Sequence, residues 1–442
     1  MPQAIATLLH ARWIVPVEPE SRVLERHAIA IQDGRIIAVL PREDAVARFR
    51  AEVTLDLDRH VLIPGLVNAH THASMTLLRG LADDLPLMAW LQDHIWPVEA
   101  RWVAPDFVRD GARLAMAEML RGGVTCFNDM YMFPEVVAAA ARDCGMRACV
   151  GLIALEFPTG YARDIDEYLA KGLALHEELR ADPLVRAVFA PHAPYTVSAP
   201  ALERIGRLAA DLDLPIHIHV HETAAEIARF QAEHGCRPLE RLDGLGLLTS
   251  RLLAVHMTQL EPAEIERLAR AGAHVAHCPE SNLKLASGFC PVARLDTAGV
   301  NVAIGTDGAA SNNDLDLFGE MRTAALLGKG VAGDAAALPA ARVLAMATLG
   351  GARALGLAAE IGSLAPGKSA DIVAVDFGHP ETEPVYHPIS QLVYAAGRHQ
   401  VTDVWVAGRR LLADRRLTTL DSADLMRRAR DWRRKIAVQH RA

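Results

Sequence analysis

From residue 61 to residue 364 of this 442-residue chain, short apolar runs alternate with amphipathic stretches, which leaves few folds open. The strand-like runs are Leu62–Asn68, Thr125–Asp129, Arg147–Ile153, Val185–Ala190, Pro215–His221, Leu252–His256, His274–His277 and Val300–Thr306. Helical patterns fall between them at Pro105–Arg121, Phe133–Cys144, Ile165–Arg180, Ala199–Asp211 and Pro262–Ala271. Eight strands alternating with helices predict an α/β fold, a TIM-type (β/α)8 barrel.

The flanks read differently. Ala4–Leu9, Ala28–Ile31, Arg35–Val39 and Val53–Asp56 are β-like, and Asp33-Gly34 is a hairpin turn signal. Ala370–Asp376 and Val401–Ala407 repeat that character near the other end, with a turn at Ala407-Gly408-Arg409. The expectation is a small composite β-sandwich domain from residues 1–60 and 365–442, beside a catalytic barrel over 61–364. The basic helical tail after Asp421 reads as a solvated face.

A net charge of −8 argues against the clustered basic surface that nucleic acid requires. No apolar run approaches the roughly 18 residues of a membrane span, and no signal peptide is apparent. The six cysteines form no CxxC pair, which favours reduced thiols in the cytoplasm. A protein acting on a small molecule is expected, with self-association left open.

In a parallel barrel, reactive residues sit at the C-terminal strand ends. His70 and His72 close the first strand, two residues apart, so their side chains share a face. His217, His219 and His221 share a face of the fifth strand by the same period, and Glu222 follows. His256 closes the sixth strand and Asp307 the eighth. Three imidazoles and a carboxylate suit a catalytic metal site with room for water. Periodicity alone does not choose among the fifth-strand histidines.

Longer motifs carry a resemblance. The run Pro64-Gly65-Leu66-Val67-Asn68-Ala69-His70-Thr71-His72 is similar to the opening metal motif of the amidohydrolase superfamily. Met75-Thr76-Leu77-Leu78-Arg79-Gly80, Trp96-Pro97-Val98-Glu99 and His192-Ala193-Pro194-Tyr195-Thr196 resemble its 5-methylthioadenosine/S-adenosylhomocysteine deaminase group. So do Pro279-Glu280-Ser281-Asn282-Leu283-Lys284-Leu285 and Thr306-Asp307-Gly308-Ala309-Ala310-Ser311-Asn312. The resemblance spans nearly the whole chain.

It implies hydrolytic deamination of a 6-aminopurine nucleoside, giving the 6-oxo product and ammonia. The family's His-x-x-Glu pattern selects His219, so the implied metal ligands are His70, His72, His219 and Asp307. His217 is then read as packing beneath the site or as support for a ligand, His221 is left without a role, and His277 and Cys278 are structural. Binuclear relatives use a carbamylated lysine at a strand end, but Lys171, Lys284, Lys329, Lys368 and Lys435 all lie off the fourth strand. One divalent metal per chain follows, with zinc favoured over iron or manganese.

The implied catalytic residues are Glu222, His256 and Asp307. Glu222 would move a proton from a metal-activated water to a ring nitrogen, Asp307 would pass a second proton to ammonia, and His256 would polarise the adduct. Substrate contacts fall to Glu99, His192, Glu222 and Asp307, with Glu99 accepting both ribose hydroxyls. The alternative is a hydrolase of another heterocycle, a guanine derivative or an s-triazine. A free base would leave Glu99 without a diol. A non-catalytic barrel would be expected to lack some of these residues. One departure stands out: the group carries an arginine shortly after the third strand, and no arginine lies between Arg147 and Arg163 here. That favours methylthioadenosine or adenosine over S-adenosylhomocysteine.

Overall fold

The computed structural model describes residues 2–440. Four strands open the chain: β1 (Gln3–Ile14), β2 (Leu24–Gln32), β3 (Arg35–Pro41) and β4 (Phe49–Pro64). Eight follow, alternating with helices: β5 (Leu66–Thr71), β6 (Val124–Asp129), β7 (Arg147–Ala154), β8 (Val185–Pro191), β9 (Ile216–Val220), β10 (Leu252–His256), β11 (His274–His277) and β12 (Asn301–Ile304). The last four are β13 (Ile372–Asp376), β14 (Val401–Val406), β15 (Arg409–Ala413) and β16 (Arg416–Leu417). Four helices matter below: α1 (Trp96–Trp102), α2 (Pro105–Arg121), α3 (Ala224–His234) and α4 (Ser422–His440).

Strands β5 to β12 form one parallel sheet in sequential order, as a (β/α)8 barrel requires. Asn68 on β5 helps to close it. Its amide donates to the Thr306 hydroxyl at 2.8 Å, and its carbonyl accepts the Thr306 N–H at 3.0 Å. Gly305 makes the close approach possible, since a Cβ there would lie 2.8 Å from the His70 nitrogen.

The expected first strand, Leu62–Asn68, is two strands. Leu62 to Pro64 end β4 and pair antiparallel with β13, and the chain enters the barrel only at Leu66. The two apolar runs adjoin without a polar break, so no pattern marks the junction. Gly65 sits there because any side chain would collide with Thr125.

The second sheet takes strands from both chain ends, in the order β16-β15-β14-β13-β4-β1-β2-β3. Asp33 and Gly34 both have positive φ, 52° and 74°, as the tight β2–β3 turn demands. That turn folds back onto the far strands. The Ala370 N–H donates to the Gly34 carbonyl at 2.8 Å, and a Cβ on Gly34 would meet the Ala407 oxygen at 2.6 Å. The sheet thus curls into a sandwich over a core that includes Leu9, Ile14, Ile29, Leu62 and Trp405.

Buried Arg147, at the start of β7, bolts the sandwich to the barrel: its Nε donates to Asp371 at 3.1 Å. The basic tail does not lie wholly in solvent. Leu425, Trp432 and Ile436 are buried on one face of α4. The Trp432 indole N–H donates to Asp110 of α2 at 3.0 Å. Among the described residues no helix is long and apolar enough to cross a membrane.

Candidate metal centre and active site

The strand ends bring His70, His72, His219 and Asp307 together, with one ligand atom from each lying within 4.8 Å of the others. Asp307 Oδ1 is 3.1 Å from His70 Nε2 and 3.2 Å from His72 Nε2. His219 Nε2 is 3.3 Å from His70 Nε2.

The remaining ring nitrogens are held from outside. His70 Nδ1 meets His217 Nε2 at 2.8 Å, His72 Nδ1 meets the Met130 carbonyl at 2.6 Å, and His219 Nδ1 meets the His192 carbonyl at 2.8 Å. Fixing each Nδ1 aims each Nε2 at the common centre, the usual support of imidazole metal ligands. Asp307 is held as firmly: Ser281 and Ser311 donate to Oδ2 at 2.7 and 2.8 Å, and the Gly308 N–H donates to Oδ1 at 2.8 Å. Three imidazole nitrogens and one carboxylate, oriented and all but His72 buried, fit a divalent cation of zinc type.

Burial and Asp307 pull the ionisation of the cluster's imidazoles in opposite directions. Burial lowers the His70 pKa to about 4 against the pull of Asp307. Burial acts in the same direction on His72, but the hydrogen bond and charge of Asp307, with the Met130 carbonyl, raise it to about 9. Burial works to raise the Asp307 carboxyl, yet His70 and His72 hold it well below its usual range.

Glu222 is buried beside the cluster, its Oε2 4.0 Å from His256 Nε2. Burial raises its pKa, with the nearby His256 opposing. Its backbone is clamped: the Glu222 N–H donates to Glu226 at 2.8 Å, and the Thr258 hydroxyl donates to the Glu222 carbonyl at 2.7 Å. Glu226 also forms the capping box that starts α3. Asn282 holds His256 Nδ1 at 2.9 Å, leaving Nε2 toward the cavity.

His221 does not share the face of His217 and His219. β9 ends at Val220, and His221 turns away with a left-handed φ of 55°. Its Nε2 accepts the Leu239 N–H at 3.2 Å. His256 and Asp307 are also left-handed, with φ of 74° and 62°. Non-glycine residues held there are strained, a condition common at functional sites.

Above the cluster opens a cavity of about 450 Å³ that reaches Glu99 and His192. Glu99, on α1, accepts the Tyr131 hydroxyl at 2.7 Å. Burial raises its pKa, and the Tyr131 hydrogen bond opposes. Burial and the neighbouring His72 and His70 depress His192 to about 3, so its ring is neutral at physiological pH. Sequence reasoning missed Tyr131, whose position two residues after β6 is its only signal. It also gave no role to Ser281, Asn282 and Ser311, although all three fall within the motifs quoted above.

Residues 61–411 match the amidohydrolase family. The chain belongs to it. A protein of Saccharophagus degradans named 5-methylthioadenosine/S-adenosylhomocysteine deaminase is 51% identical to this amidohydrolase, over 98% of this chain and 97% of its own. The crystal structure of an adenosine deaminase from Xanthomonas campestris with bound zinc matches with a TM-score of 0.98 and 57% identity, covering 99% of this chain and 100% of that one. The zinc complex of an atrazine chlorohydrolase from Arthrobacter aurescens matches with a TM-score of 0.89 and 25% identity, over 96% of this chain and 99% of the other.

Proposed function

We propose that this amidohydrolase hydrolytically removes the 6-amino group of a purine nucleoside such as 5′-methylthioadenosine or adenosine, using one zinc ion per chain. The observation that carries the reading is a third carboxylate, Glu99, in the same cavity as the Glu222–His256–Asp307 group. A free heterocycle gives Glu99 no diol, whereas a ribose offers it two adjacent hydroxyl donors. Full-length similarity to two nucleoside deaminases supports the same substrate class.

His70, His72, His219 and Asp307 would hold the metal, which when bound supplies the Lewis acid that brings a water pKa to about 7. Glu222 takes a proton from water and delivers it to the ring nitrogen beside C6, and the burial that raises its pKa favours the protonated form through which it passes. Asp307 takes the second proton and passes it to the departing ammonia. His256, steadied by Asn282, orients the attacking oxygen. Glu99 and His192 seat the sugar and the purine edge.

The two chain ends, residues 1–60 and 365–442, form the composite domain beside the catalytic barrel, 61–364, in this reading. The junction at Gly65 and the docking of α4 on α2 adjust its edges. A cytoplasmic setting fits six unpaired cysteines.

The chlorohydrolase similarity keeps an s-triazine substrate as the second reading. An ammonia-release screen over adenosine, 5′-methylthioadenosine, S-adenosylhomocysteine, guanine and an aminotriazine tests both. Turnover of a nucleoside is expected, and turnover of guanine or the triazine alone would replace this reading with the second.

A further inference from the structure

The charge of the cavity lining is one-sided. Besides its imidazoles, the ionisable groups lining it among the described residues are the carboxylates Glu99, Glu222 and Asp307 and the phenols Tyr131 and Tyr195; no lysine or arginine lines it. The run from Gly151 to Ala162 contains no cation, and it gives Ile153, Leu155 and Phe157 to the wall. Trp90, Ile95 and Met132 extend that apolar surface.

Cations near the lining segments are engaged elsewhere. Arg163 pairs with Glu167 and Arg229 with Glu233, each at 2.8 Å. Lys284 pairs with Asp83 at 2.6 Å, and Arg101 lies 5.7 Å from the centre of the Trp102 ring.

We propose, on the strength of the nucleoside reading above, that the subsite for the 5′ substituent takes an uncharged apolar group and discriminates by charge against an amino-acid tail. Of the tail's two charges, the ammonium has carboxylates to meet, but the carboxylate would shed water, find no lysine or arginine in the lining and have to compete with water for the metal at the floor. Turned outward, the tail would keep its hydration but pull its stem from the apolar wall, giving up contact that a thioether alkyl group makes. The direction in which the sugar lies does not matter, because no lining position carries a lysine or arginine. Phe157, 44% exposed, adds an apolar ring to the cavity lining.

The test measures kcat/KM of the zinc-loaded enzyme with 5′-methylthioadenosine, 5′-butylthioadenosine and S-adenosylhomocysteine. The butylthio compound matches the length of the homocysteine stem without its charges. S-adenosylhomocysteine is expected to fall at least tenfold below 5′-butylthioadenosine. A smaller difference, with methylthioadenosine turned over, overturns the charge selection and leaves the nucleoside reading standing. If none of the three is deaminated while guanine or an aminotriazine is, the nucleoside reading itself fails and the inference with it.

Discussion

Replacing Glu99 with alanine should penalise nucleosides far more than substrates lacking the sugar hydroxyls. In the free protein one Glu99 oxygen accepts the Tyr131 hydroxyl at 2.7 Å, which leaves lone pairs for two further donors. A ribose diol can supply both. Hydrogen bonds to a charged group contribute roughly 1.5–3 kcal/mol each, so losing two lowers kcat/KM by about two to four orders of magnitude. The substitution also leaves the buried Tyr131 hydroxyl without its acceptor. That second effect acts on every substrate alike, so it cancels in a ratio. The assay is therefore a double comparison of kcat/KM: parent and Glu99→Ala enzymes, each with 5′-methylthioadenosine and its 2′,3′-dideoxy analogue. The dideoxy compound should already be poor with the parent and change little in the variant. Equal losses on both substrates would mean that Glu99 supports the wall through Tyr131 without touching the sugar, and the reasoning from the diol would be wrong.

Four further outcomes are expected. Glu222→Gln should keep its metal and lose turnover by about 10²–10⁴-fold; near-parental activity or loss of the metal would show the role misassigned. Elemental analysis of protein purified without added metal should give close to one divalent ion per chain, because β8 ends in Pro191-His192 without a bridging lysine; a reproducible ratio near two would contradict this. His217→Leu removes the partner of His70 Nδ1 and should weaken metal binding by about 10–100-fold in competition with a chelator; unchanged affinity would make His217 mere packing. Arg147→Met leaves Asp371 buried with only Ser369 and the Ala407 N–H as partners, and should lower unfolding stability by about 3–5 kcal/mol in denaturant titration. A loss below about 1 kcal/mol would mean those two partners suffice.

The barrel was legible because its signal is repeated: each apolar run predicted as one of the eight strands overlaps an observed strand of the parallel sheet. The residues named as metal ligands were legible because a barrel confines chemistry to strand ends, and the structure brings their ligand atoms within 4.8 Å of one another. Three things were hidden. The junction at Gly65 joins two apolar runs, and only the collision with Thr125 reveals why a glycine stands there. His221 obeys the two-residue period in sequence but leaves the strand through a left-handed backbone, which periodicity does not register. The apolar side of α4 was masked by its arginines, since Leu425, Trp432 and Ile436 are few among many charges.

The division of labour within the site follows from which parts of the chain are rigid. His70, His219 and His256 lie within barrel strands, and His72, Glu222 and Asp307 follow within a few residues of strand ends. Their partners lie just beyond the strands, Ser281 and Asn282 in the short helix Pro279–Lys284 and Thr258 in the turn after β10. Little can change there without disturbing several hydrogen bonds at once. Glu99, Tyr131 and Phe157, in contrast, come from segments that follow β5, β6 and β7, where loops can vary while the sheet stays fixed. An atrazine chlorohydrolase shares this fold with the present chain, so the fold alone does not set the substrate. Exchanging the β7–α loop that carries Phe157 should therefore alter which 5′ substituent is accepted while metal content stays constant. If such an exchange removed the metal, floor and wall would not be separable, and the specificity of this enzyme could not be treated as a property of its loops.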